Sequence, residues 1–424
     1  MLITGPSERI FIDSVLPGDK SIAHRAAILA AISKSHCTLR NFSTGQDCRQ
    51  TLTVLGGLGV PIHQEGTEVN IEGVSLQGLC APVAPLDCGN SGTTTRLLAG
   101  VLAGQPFKSS LHGDESLSGR PMRRITDPLE RMGASIKLTG SDHLPMTIDG
   151  RSLHGIDYEI PVPSAQIKTG ILLAGLFAQG VTRVRDSFGT RDHTERLLPN
   201  LFYENGWLCI SGGSSFSFKS MTIPGDFSSA AFLTAAAILI PGSEVVLRRV
   251  GLNPTRVAFL DLLREAGANI SIDHFTDAAE PFGDLVVRGT HVPLRSVTVD
   301  GSIVPRLIDE IPILAIVGTQ MENGLEIRGA GELRIKESDR IRCLVDNLRA
   351  MGGMIEEYED GFLIHPCKLK GGAIGTRGDH RIALAFSVAA LIADGETTID
   401  NEQCIAVSFP EFYELTGIAQ TQFA

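Results

Sequence analysis

Aromatic side chains are scarce in this chain of 424 residues, at 5% of the sequence with one Trp and four Tyr. Proteins that stack bases on aromatic rings, as many RNA-binding proteins do, need more of them. An excess of positive charge is also absent, because 37 Lys and Arg oppose 48 Asp and Glu and leave a net charge of −11. Non-specific binding to nucleic acid or to an anionic membrane is therefore not expected.

Paired cysteines and long apolar stretches are missing too. No two of the eight cysteines have C-x-x-C spacing, which favours free thiols in a reducing cytosol over disulfides or a zinc site. The first eleven residues lack the basic start and apolar run of a signal peptide. The longest uncharged apolar stretches, 228–242 and 382–393, fall short of the about 20 residues that span a membrane. We therefore expect a soluble cytoplasmic protein.

Common motifs for nucleotides, zinc and serine hydrolysis are absent. The sequence has no Gly-Lys dipeptide, and hence no Walker A loop, and no G-x-G-x-x-G after a predicted strand. The eleven His show no H-E-x-x-H spacing or ligand-like clustering. Residues 89–92 read G-N-S-G, one residue too short for the hydrolase elbow G-x-S-x-G. These absences argue against nucleotide enzymes, zinc enzymes and serine hydrolases.

What the sequence does contain is a repeated pattern of glycines and apolar runs, with 46 Gly in all. Six times, a short polar cluster leads into a run rich in Ala, Leu and Ile that ends near Gly or Pro. Each run predicts a helix, because Asp, Asn, Ser or Pro stands at its start and Gly follows its end. The runs are apolar nearly all round, so we expect buried helices. They cover residues 16–32, 87–104, 161–180, 223–242, 306–324 and 375–395, with starts about 60–85 residues apart.

Short alternating segments between these runs predict strands, and amphipathic segments predict a second helix in the repeat. The strands include residues 2–12, 135–138, 157–160, 216–223, 296–299 and 324–328, and the second helices 123–132, 257–266 and 340–351. The chain is thus an α/β protein whose βαβ-like unit with extra strands is repeated six times. We expect two similar domains of three units each, one covering 18–222 and the other 1–17 with 223–424.

Positive side chains stand near several of the predicted helix starts, where the helix dipole already places partial positive charge. One such cation would usually be a solvated side chain, but their repetition favours a site for phosphates and carboxylates. The spacing of Lys336 and Arg340 further predicts that both lie on one face of the helix that follows. The other cations of this set are Lys20, Arg25, Arg96, Lys168 and Arg381.

Two carboxylates stand next to these cations. Asp309 begins the fifth predicted helix with Glu310 beside it, and Glu337 lies between Lys336 and Arg340. An Asp at a helix start is most often only an N-cap, and Glu337 could be a simple ion-pair partner. In an anion-binding site, however, such carboxylates can accept and donate protons.

Eight segments, in their order along the chain, resemble the 5-enolpyruvylshikimate-3-phosphate (EPSP) synthase family. They read PGDKSIAHR, GNSGTTTR, GRPM, SAQIK, IPGDFSSAA, LIDEIP, RIKESDRI and GDHRIA, and the match extends from residue 16 to about 412. The resemblance implies transfer of the enolpyruvyl group of phosphoenolpyruvate to the 5-hydroxyl of shikimate 3-phosphate, with release of phosphate and without metal or organic cofactor. It also implies two domains of three βαβαββ-type units, with helix N-termini facing an active site in the cleft between them.

The same resemblance implies a role for individual residues. Asp309, itself a substrate ligand, would accept the proton of the 5-hydroxyl, while Glu337, with Lys20, would protonate the methylene carbon. Lys20 would also bridge the two substrates. Shikimate 3-phosphate would be bound by Ser21, Arg25, Ser164, Ala165, Gln166, Arg191 and Lys336. Phosphoenolpyruvate would be bound by Gly92, Arg120, Arg340 and Arg381.

Three positions depart from the family pattern. Val407 replaces a Lys that many members carry near the C-terminus, His24 replaces a common Asn, and Ala165 replaces a common Ser. The departures resemble those of a variant subgroup. Gly92 follows the pattern, and the resemblance implies that it leaves room for the inhibitor glyphosate, so inhibition is expected.

Other functions remain open at this stage. The nearest is the related transferase that acts on UDP-N-acetylglucosamine, which typically uses a Cys in a region where residues 111–124 here contain none. A non-catalytic anion-binding protein or an inactive homologue would also carry the cations. We expect small-molecule substrates, no nucleic-acid or membrane partner, and a monomer.

Overall fold

The computed structural model describes residues 1–140 and 142–418. It divides into two compact units, which we call the terminal unit, 1–17 with the chain from 224 onward, and the central unit, 18–223. The chain passes between them after Pro17 and after Ile223, and the sequence-based boundary lies one residue before the second of these points. Two strands of the terminal unit, β1 (Leu2–Gly5) and β2 (Phe11–Val15), open the chain.

The central unit is built from three four-stranded sheets and the helices between their strands. Its elements are α1 (Lys20–Ala31), β3 (His36–Arg40), α2 (Gln46–Gly57), β4 (Ile62–Glu65), β5 (Glu68–Glu72), β6 (Leu86–Asp87), α3 (Gly92–Ala103), β7 (Lys108–His112), α4 (Glu115–Ser118), α5 (Arg123–Arg131), β8 (Ser135–Thr139), β9 (His143–Asp149), β10 (Leu153–His154), β11 (Asp157–Glu159), α6 (Ala165–Gly175), β12 (Ala178–Gln179), β13 (Val181–Arg185), α7 (His193–Leu197), β14 (Leu201–Glu204), β15 (Trp207–Ser211) and β16 (Met221–Thr222). The sheets have the orders β16-β3-β5-β4, β6-β7-β9-β8 and β11-β13-β15-β14, and β10 pairs with β12.

The terminal unit continues the same arrangement. Its elements after the second crossing are α8 (Phe227–Leu239), β17 (Glu244–Gly251), α9 (Ala258–Glu265), β18 (Asn269–Thr276), β19 (Phe282–Arg288), β20 (Thr298–Val299), α10 (Val304–Leu307), α11 (Ile311–Gly318), β21 (Leu325–Ile327), a 3₁₀ turn (Gly331–Ile335), α12 (Arg340–Ala350), β22 (Ile355–Tyr358), β23 (Gly361–Ile364), β24 (Ala373–Ile374), α13 (His380–Ile392), β25 (Gly395–Ile399), a second 3₁₀ turn (Glu402–Val407) and α14 (Phe412–Thr416). Its sheets have the orders β18-β19-β17-β2, β20-β21-β23-β22 and β1-β25-β24.

Each four-stranded sheet follows one rule. A short strand pairs in parallel with the next strand, and an antiparallel hairpin completes the sheet, as in β6-α3-β7-α5-β8-β9. In the first sheet of each unit the short strand comes from a distant part of the chain: β16 for β3, and β2 for β17. The α/β architecture of repeated βαβαββ-type units predicted from the sequence is therefore confirmed, with a shorter, three-stranded sixth repeat.

The six apolar runs form the buried helices of two separate hydrophobic cores, one in each unit. Every residue of α8 from Phe227 to Ile238 is buried, and so is every residue of α13 from His380 to Leu391. In the central unit, α3 and α6 approach so closely that a Cβ on Gly100 would meet the main-chain carbonyl of Gly170. Buried helices of this kind agree with runs that are apolar nearly all round and have no polar face.

Three predicted elements differ from the structure. Residues 2–12 form two strands in two sheets, because Pro6 between them has no N–H for a ladder bond. The predicted strand 216–223 shortens to β16, since the Thr38 N–H is donated to the Ser220 hydroxyl instead of to a main-chain carbonyl. The fifth run, 306–324, holds α11 and only the last two residues of α10, because Pro312 cannot continue a helix from the preceding turn but fits a first turn.

Candidate active site

Five of the six long buried helices start at a side-chain cap, and these starts carry most of the proposed site residues. Each cap oxygen accepts a main-chain N–H of the first turn, which satisfies a donor that the helix leaves unpaired. The caps are Asp19 of α1, Ser91 of α3, Ser164 of α6, Asp226 of α8 and Asp379 of α13. In the central unit, α1 contacts α3, and α3 packs along α6.

At the start of α1, the structure brings together four of the residues that the sequence assigned to shikimate 3-phosphate. Lys20 Nζ lies 2.5 Å from Asp47 Oδ2. The buried Arg25 donates from Nε to Thr194 at 2.9 Å, from Nη1 to the Ser21 carbonyl at 2.9 Å and from Nη2 to Thr169 at 3.0 Å.

Arg191 joins this cluster, because its Nη1 donates to the Ser21 hydroxyl at 3.4 Å. The three hydrogen bonds of Arg25 hold its guanidinium in one plane. A fixed plane lets arginine bind the oxygens of a phosphate with two parallel hydrogen bonds.

A second group lies where α3 and α6 begin. Arg96 Nη1 donates to Gln166 Oε1 at 2.9 Å, and Gln166 Nε2 donates to Thr93 at 2.9 Å. Arg120 Nη2 donates to Asn90 at 2.5 Å and to Ser116 at 3.3 Å. A Cβ on Gly92 would lie 2.5 Å from Arg96 Nη1 and 3.5 Å from Arg120 Nη1. Gly92 therefore borders two guanidinium groups, and a side chain there would displace at least one of them.

Two other predicted ligands contribute at the start of α6. Ser164 is its N-cap, and its hydroxyl accepts the Ile167 N–H at 3.4 Å. The Ala165 carbonyl accepts the hydroxyl of Thr169 at 2.7 Å. Thr169 also bonds to Thr194 at 2.6 Å, which links α6 to α7 and to the acceptors of Arg25.

Lys168 is not a cation of this site, which corrects the sequence-based expectation. Its side chain is 3% exposed, and Nζ lies 3.0 Å from Asp186 Oδ2 and 2.6 Å from Glu195 Oε1. Burial alone would raise the pKa of Asp186, but Lys168 and the Thr190 hydroxyl hold it below its usual value. Two largely buried carboxylates thus pair with Lys168, and this ties α6 to the loop that carries Arg191.

In the terminal unit, carboxylates converge on two arginines. Asp309 Oδ1 lies 3.5 Å from Arg340 Nη1 and 3.5 Å from Arg381 Nε. Arg381 Nη1 also donates to the main-chain carbonyl of Asp309 at 2.8 Å. Glu337 Oε2 accepts from Arg340 Nη2 at 2.7 Å. The structure thus places four of the predicted site residues of this unit in direct contact.

Asp379 completes the group around Arg340. Its Oδ2 accepts from Arg340 Nε at 2.8 Å and from the Ser338 hydroxyl at 3.0 Å. Burial acts against the charge of Arg340, but Asp379 and Glu337 raise the pKa of Arg340 above its usual value. Burial would likewise raise the pKa of Asp379, and Arg340 lowers it. Both groups are therefore charged.

Asp309 does not cap a helix. Helix α11 begins at Ile311, and the N-cap position is taken by Glu310, so Asp309 lies before the helix with its carboxylate on the two arginines. This arrangement disagrees with the N-cap interpretation of Asp309. Glu337 does form an ion pair with Arg340, which is compatible with both interpretations of that residue.

Lys336 and Arg340 do not share a helix face, which is a second correction. Helix α12 begins at Arg340 behind its cap Asp339, and Lys336 follows directly after the preceding 3₁₀ turn. The Asp339 carboxylate accepts the Arg342 N–H and so starts the helix four residues later than an unbroken pattern would. Lys336 therefore belongs to the connection before α12. Val407, which stands where a Lys was expected, ends the second 3₁₀ turn.

Sequence reasoning assigned no role to four buried polar residues of the terminal unit: Ser228, Arg256, Glu310 and Asp379. For Asp379 a signal existed, because Gly-Asp precedes the helix start here as it does at Asp19 and Asp226. Arg256 follows no such motif and is recognisable only from its contacts.

Within the described residues, no group of three or more His, Cys, Asp or Glu is arranged to hold a metal ion. Over the same residues, no helix has both the length and the apolar character that crossing a bilayer requires. The eight cysteines are free thiols there, and five of them are buried.

The fold is shared with enolpyruvyl transferases. The enolpyruvyl transferase NikO from Streptomyces tendae matches with a TM-score of 0.77 over 98% of this chain and 96% of that one, at 18% identity. An EPSP synthase structure from Acinetobacter baumannii matches with a TM-score of 0.86 over 98% of this chain and 97% of the other, at 39% identity. The chain therefore has the fold of these two enzymes, built from repeated βαβαββ-type units.

Sequence comparison identifies the family. The family model for EPSP synthase (3-phosphoshikimate 1-carboxyvinyltransferase) matches residues 13–415. Relatives named 3-phosphoshikimate 1-carboxyvinyltransferase include one from Solibacter usitatus, 46% identical over 94% of both chains, and one from Bacillus subtilis, 44% identical over 94% of this chain and 95% of the other. The chain belongs to the EPSP synthase family. The enolpyruvyl transfer within the shikimate pathway that the motifs predicted is confirmed.

Proposed function

We propose that the residues described above bind phosphoenolpyruvate and shikimate 3-phosphate and carry out the transfer between them. Both substrates are multiply charged anions, so their mutual repulsion must be offset by about four to six cations at close range. Three cations of the central unit, Lys20, Arg25 and Arg191, are held at the start of α1. Arg340 and Arg381 contact one carboxylate in the terminal unit.

The proposed ligands of shikimate 3-phosphate come from both units of the chain. They are Lys20, Ser21, Arg25, Ser164, Ala165, Gln166, Arg191 and Lys336. The proposed ligands of phosphoenolpyruvate are Gly92, Arg120, Arg340 and Arg381, with Lys20 between the two substrates. The fixed guanidinium planes of Arg25 and Arg381 support this assignment, since phosphates and carboxylates are matched by paired N–H donors.

The chemistry follows from two proton transfers in the addition step and one in the elimination step. Asp309 accepts the proton of the 5-hydroxyl while that oxygen bonds to C2 of phosphoenolpyruvate, and Glu337, with Lys20, gives a proton to the methylene carbon. The resulting tetrahedral intermediate then breaks its bond from C2 to the phosphate oxygen. The methyl carbon returns a proton to the group that supplied it, the double bond forms again, and phosphate leaves while neighbouring Arg and Lys stabilise its charge.

One observation supports these roles above the others, namely the position of the Asp309 carboxylate. It lies 3.5 Å from two arginines, and the N-cap position of α11 belongs to Glu310 instead. Two neighbouring cations favour the charged form of a carboxylate, and the charged form is the one that can accept a proton. A simple anion-binding protein would gain nothing from it, because a carboxylate repels an anionic ligand.

We further propose that the protein acts as a monomer in the cytoplasm. Each unit has its own hydrophobic core, and the free cysteines suit a reducing compartment. Light scattering of the purified protein would test the monomer, for which we expect a mass near 45.3 kDa. A mass of twice that value would contradict it.

Phosphate release tests the function directly. We expect release only when phosphoenolpyruvate and shikimate 3-phosphate are both present, and no effect of a chelator. No release with both substrates would contradict the proposal, and release with UDP-N-acetylglucosamine in place of shikimate 3-phosphate would point to the related transferase.

Asp309→Asn tests the proposed proton acceptor. Loss of the base should lower kcat by about 10²–10⁴-fold while shikimate 3-phosphate still binds. Asp277→Asn, at an exposed position of the same unit, is the matched control and should keep the wild-type rate. A normal kcat for Asp309→Asn would remove Asp309 from the proton transfer.

A further inference from the structure

The terminal unit contains a buried hydrogen-bond centre that the mechanism above does not use. Ser228, the second residue of α8, is 5% exposed and Glu310 is 1% exposed. The Ser228 hydroxyl donates to Glu310 Oε1 at 2.5 Å. Ser228 Oγ in turn accepts from Arg256 Nη2 at 2.7 Å and from Arg381 Nη2 at 3.4 Å.

The donor and both acceptor positions of the Ser228 hydroxyl are occupied. A serine hydroxyl has one hydrogen and two lone pairs, and a guanidinium group can only donate. Because two arginines supply N–H groups, the Ser228 hydrogen must point to Glu310, and both lone pairs must face the arginines. Ser228 therefore has a single orientation in which all its bonds are satisfied, and a buried network of this kind is stiff.

The charges around Ser228 are also balanced. Glu310 Oε1 lies 3.5 Å from Arg256 Nη2 and 3.9 Å from Arg381 Nη1. Arg256 in turn lies over the ring of Phe227, 5.8 Å from its centroid. The carboxylate thus offsets the charge of two buried arginines, while Arg256 is held by the residue next to Ser228.

These contacts determine how Arg381 is oriented. One side of its guanidinium donates to the Asp309 main-chain carbonyl at 2.8 Å, and Nη2 donates to Ser228. Two acceptors from different parts of the chain define the plane of the group, and further N–H donors of Nη1 and Nη2 can serve an anion. We propose that Ser228, oriented by Glu310, is a positioning residue that sets Arg381 for phosphoenolpyruvate. This inference rests on the proposed function, in which Arg381 binds that substrate.

The test compares the two substrates. Ser228→Ala removes the acceptor of Arg381 and leaves every charge in place, so we expect the KM for phosphoenolpyruvate to rise about 3- to 30-fold. The KM for shikimate 3-phosphate and kcat should change less than twofold. Ser228→Thr keeps the hydroxyl and should restore most of the lost affinity. If Ser228→Ala does not fold, Ser228→Cys, whose thiol is a weak hydrogen-bonding group, replaces it with the same expectation.

The matched control is Ser387→Ala. Ser387 is a buried serine of α13 in the same unit, and its hydroxyl donates to the Ala383 carbonyl at 2.8 Å. This variant should lose stability but keep both KM values, which separates positioning from a general effect of removing a buried hydroxyl. An unchanged KM for phosphoenolpyruvate in Ser228→Ala, or an equal rise for both substrates, would overturn the inference.

A double-variant cycle tests whether Ser228 acts through Arg381. In an Arg381→Lys background, Ser228→Ala should raise the KM for phosphoenolpyruvate by a smaller factor than in the wild type. Equal factors in the two backgrounds would contradict action through Arg381. Absence of phosphate release by the wild-type protein would instead count against the proposed function, so the two failures are distinguishable.

Discussion

Arg340 shows, at the scale of a single residue, how a buried cation organises carboxylates. Its guanidinium contacts Asp309, Glu337 and Asp379. Removing a cation from such a group is strongly destabilising, because the remaining charges stay buried without an opposite charge. Arg340 is therefore both a proposed ligand of phosphoenolpyruvate and a structural centre of the terminal unit.

Burial also determines the protonation of His24. It is fully buried in α1, and its Nδ1 lies 2.6 Å from the Thr51 hydroxyl. Thr51 bonds to Thr94 at 2.6 Å, and Thr94 bonds to the α3 cap Ser91 at 2.7 Å. Thr94 donates to Ser91, so Thr51 must donate to Thr94 and His24 must donate to Thr51. This order requires a proton on Nδ1 of His24, and burial keeps the ring neutral by lowering its pKa.

A neutral, buried His24 predicts a pH dependence of stability. Burial, together with the charges of Lys20 and Arg25, lowers the pKa of His24 well below its usual value. In the unfolded chain the pKa is about 6.5, so the unfolded state takes up a proton first and stability falls as the pH drops below about 6.5. Between pH 7.5 and pH 5, we expect the free energy of unfolding to fall by about 1–2 kcal/mol less in His24→Asn than in the wild type.

Urea unfolding followed by the fluorescence of Trp207 measures this difference, because Trp207 lies on β15 in the same unit as His24. His63→Gln, at an exposed position of β4, is the control and should keep the wild-type pH dependence. Identical acid dependence in His24→Asn and the wild type would contradict a neutral buried His24.

At the scale of elements, Lys168 connects helix α6 to the segment that carries Arg191. It contacts Asp186 and Glu195, and it donates to the Thr190 carbonyl at 3.3 Å. Asp186 in turn accepts the N–H groups of Phe188 and Thr190. The loop before α7 is thus attached to α6 by one buried cation, and Arg191 lies within the attached segment.

Lys168→Met should therefore act on stability first. Two carboxylates would remain buried without their cation, which destabilises proteins by about 3–5 kcal/mol. The measurement is urea unfolding followed by Trp207 fluorescence, with Lys108→Met, exposed on β7, as the control. A stable Lys168→Met protein with impaired binding of shikimate 3-phosphate would instead support the original interpretation of Lys168 as a substrate cation.

At the scale of the whole molecule, the proposed ligands of shikimate 3-phosphate belong to two units that the chain joins at two points. A substrate that binds residues of both units stabilises the arrangements in which all of those residues can contact it. We expect shikimate 3-phosphate to reduce the radius of gyration measured by small-angle scattering. Shikimate without the phosphate is the control and should have a smaller effect. Unchanged scattering at saturating shikimate 3-phosphate would contradict this expectation.

Much of the fold was predictable because its signals are local. The caps Asp19, Ser91 and Ser164 and the apolar runs behind them occur within a few residues of each other, and the helices begin where these patterns indicate. Boundaries were wrong where one residue interrupts a pattern, as Pro6 and Pro312 do. A propensity pattern averages over such single positions.

The candidate site was less predictable. The motifs indicated Asp309, Arg340 and Arg381, and the structure brings these three together. They did not reveal that Lys168 is paired with two largely buried carboxylates, nor that Lys336 precedes α12. Partners of a charged side chain depend on the packing of several elements, and no local pattern records them.

The sequence by itself determined the repeat, the buried helices, their caps and the family, since these depend on short-range periodicity and ordered motifs. Only the tertiary structure decided which cations form ion pairs inside the protein and which lie at the proposed site. Ser228 and Glu310 are 82 residues apart in sequence, and Arg340 and Asp379 are 39 apart. Electrostatic and hydrogen-bond energies depend on distance in space and on burial, so the roles of these residues appear only after the chain has folded.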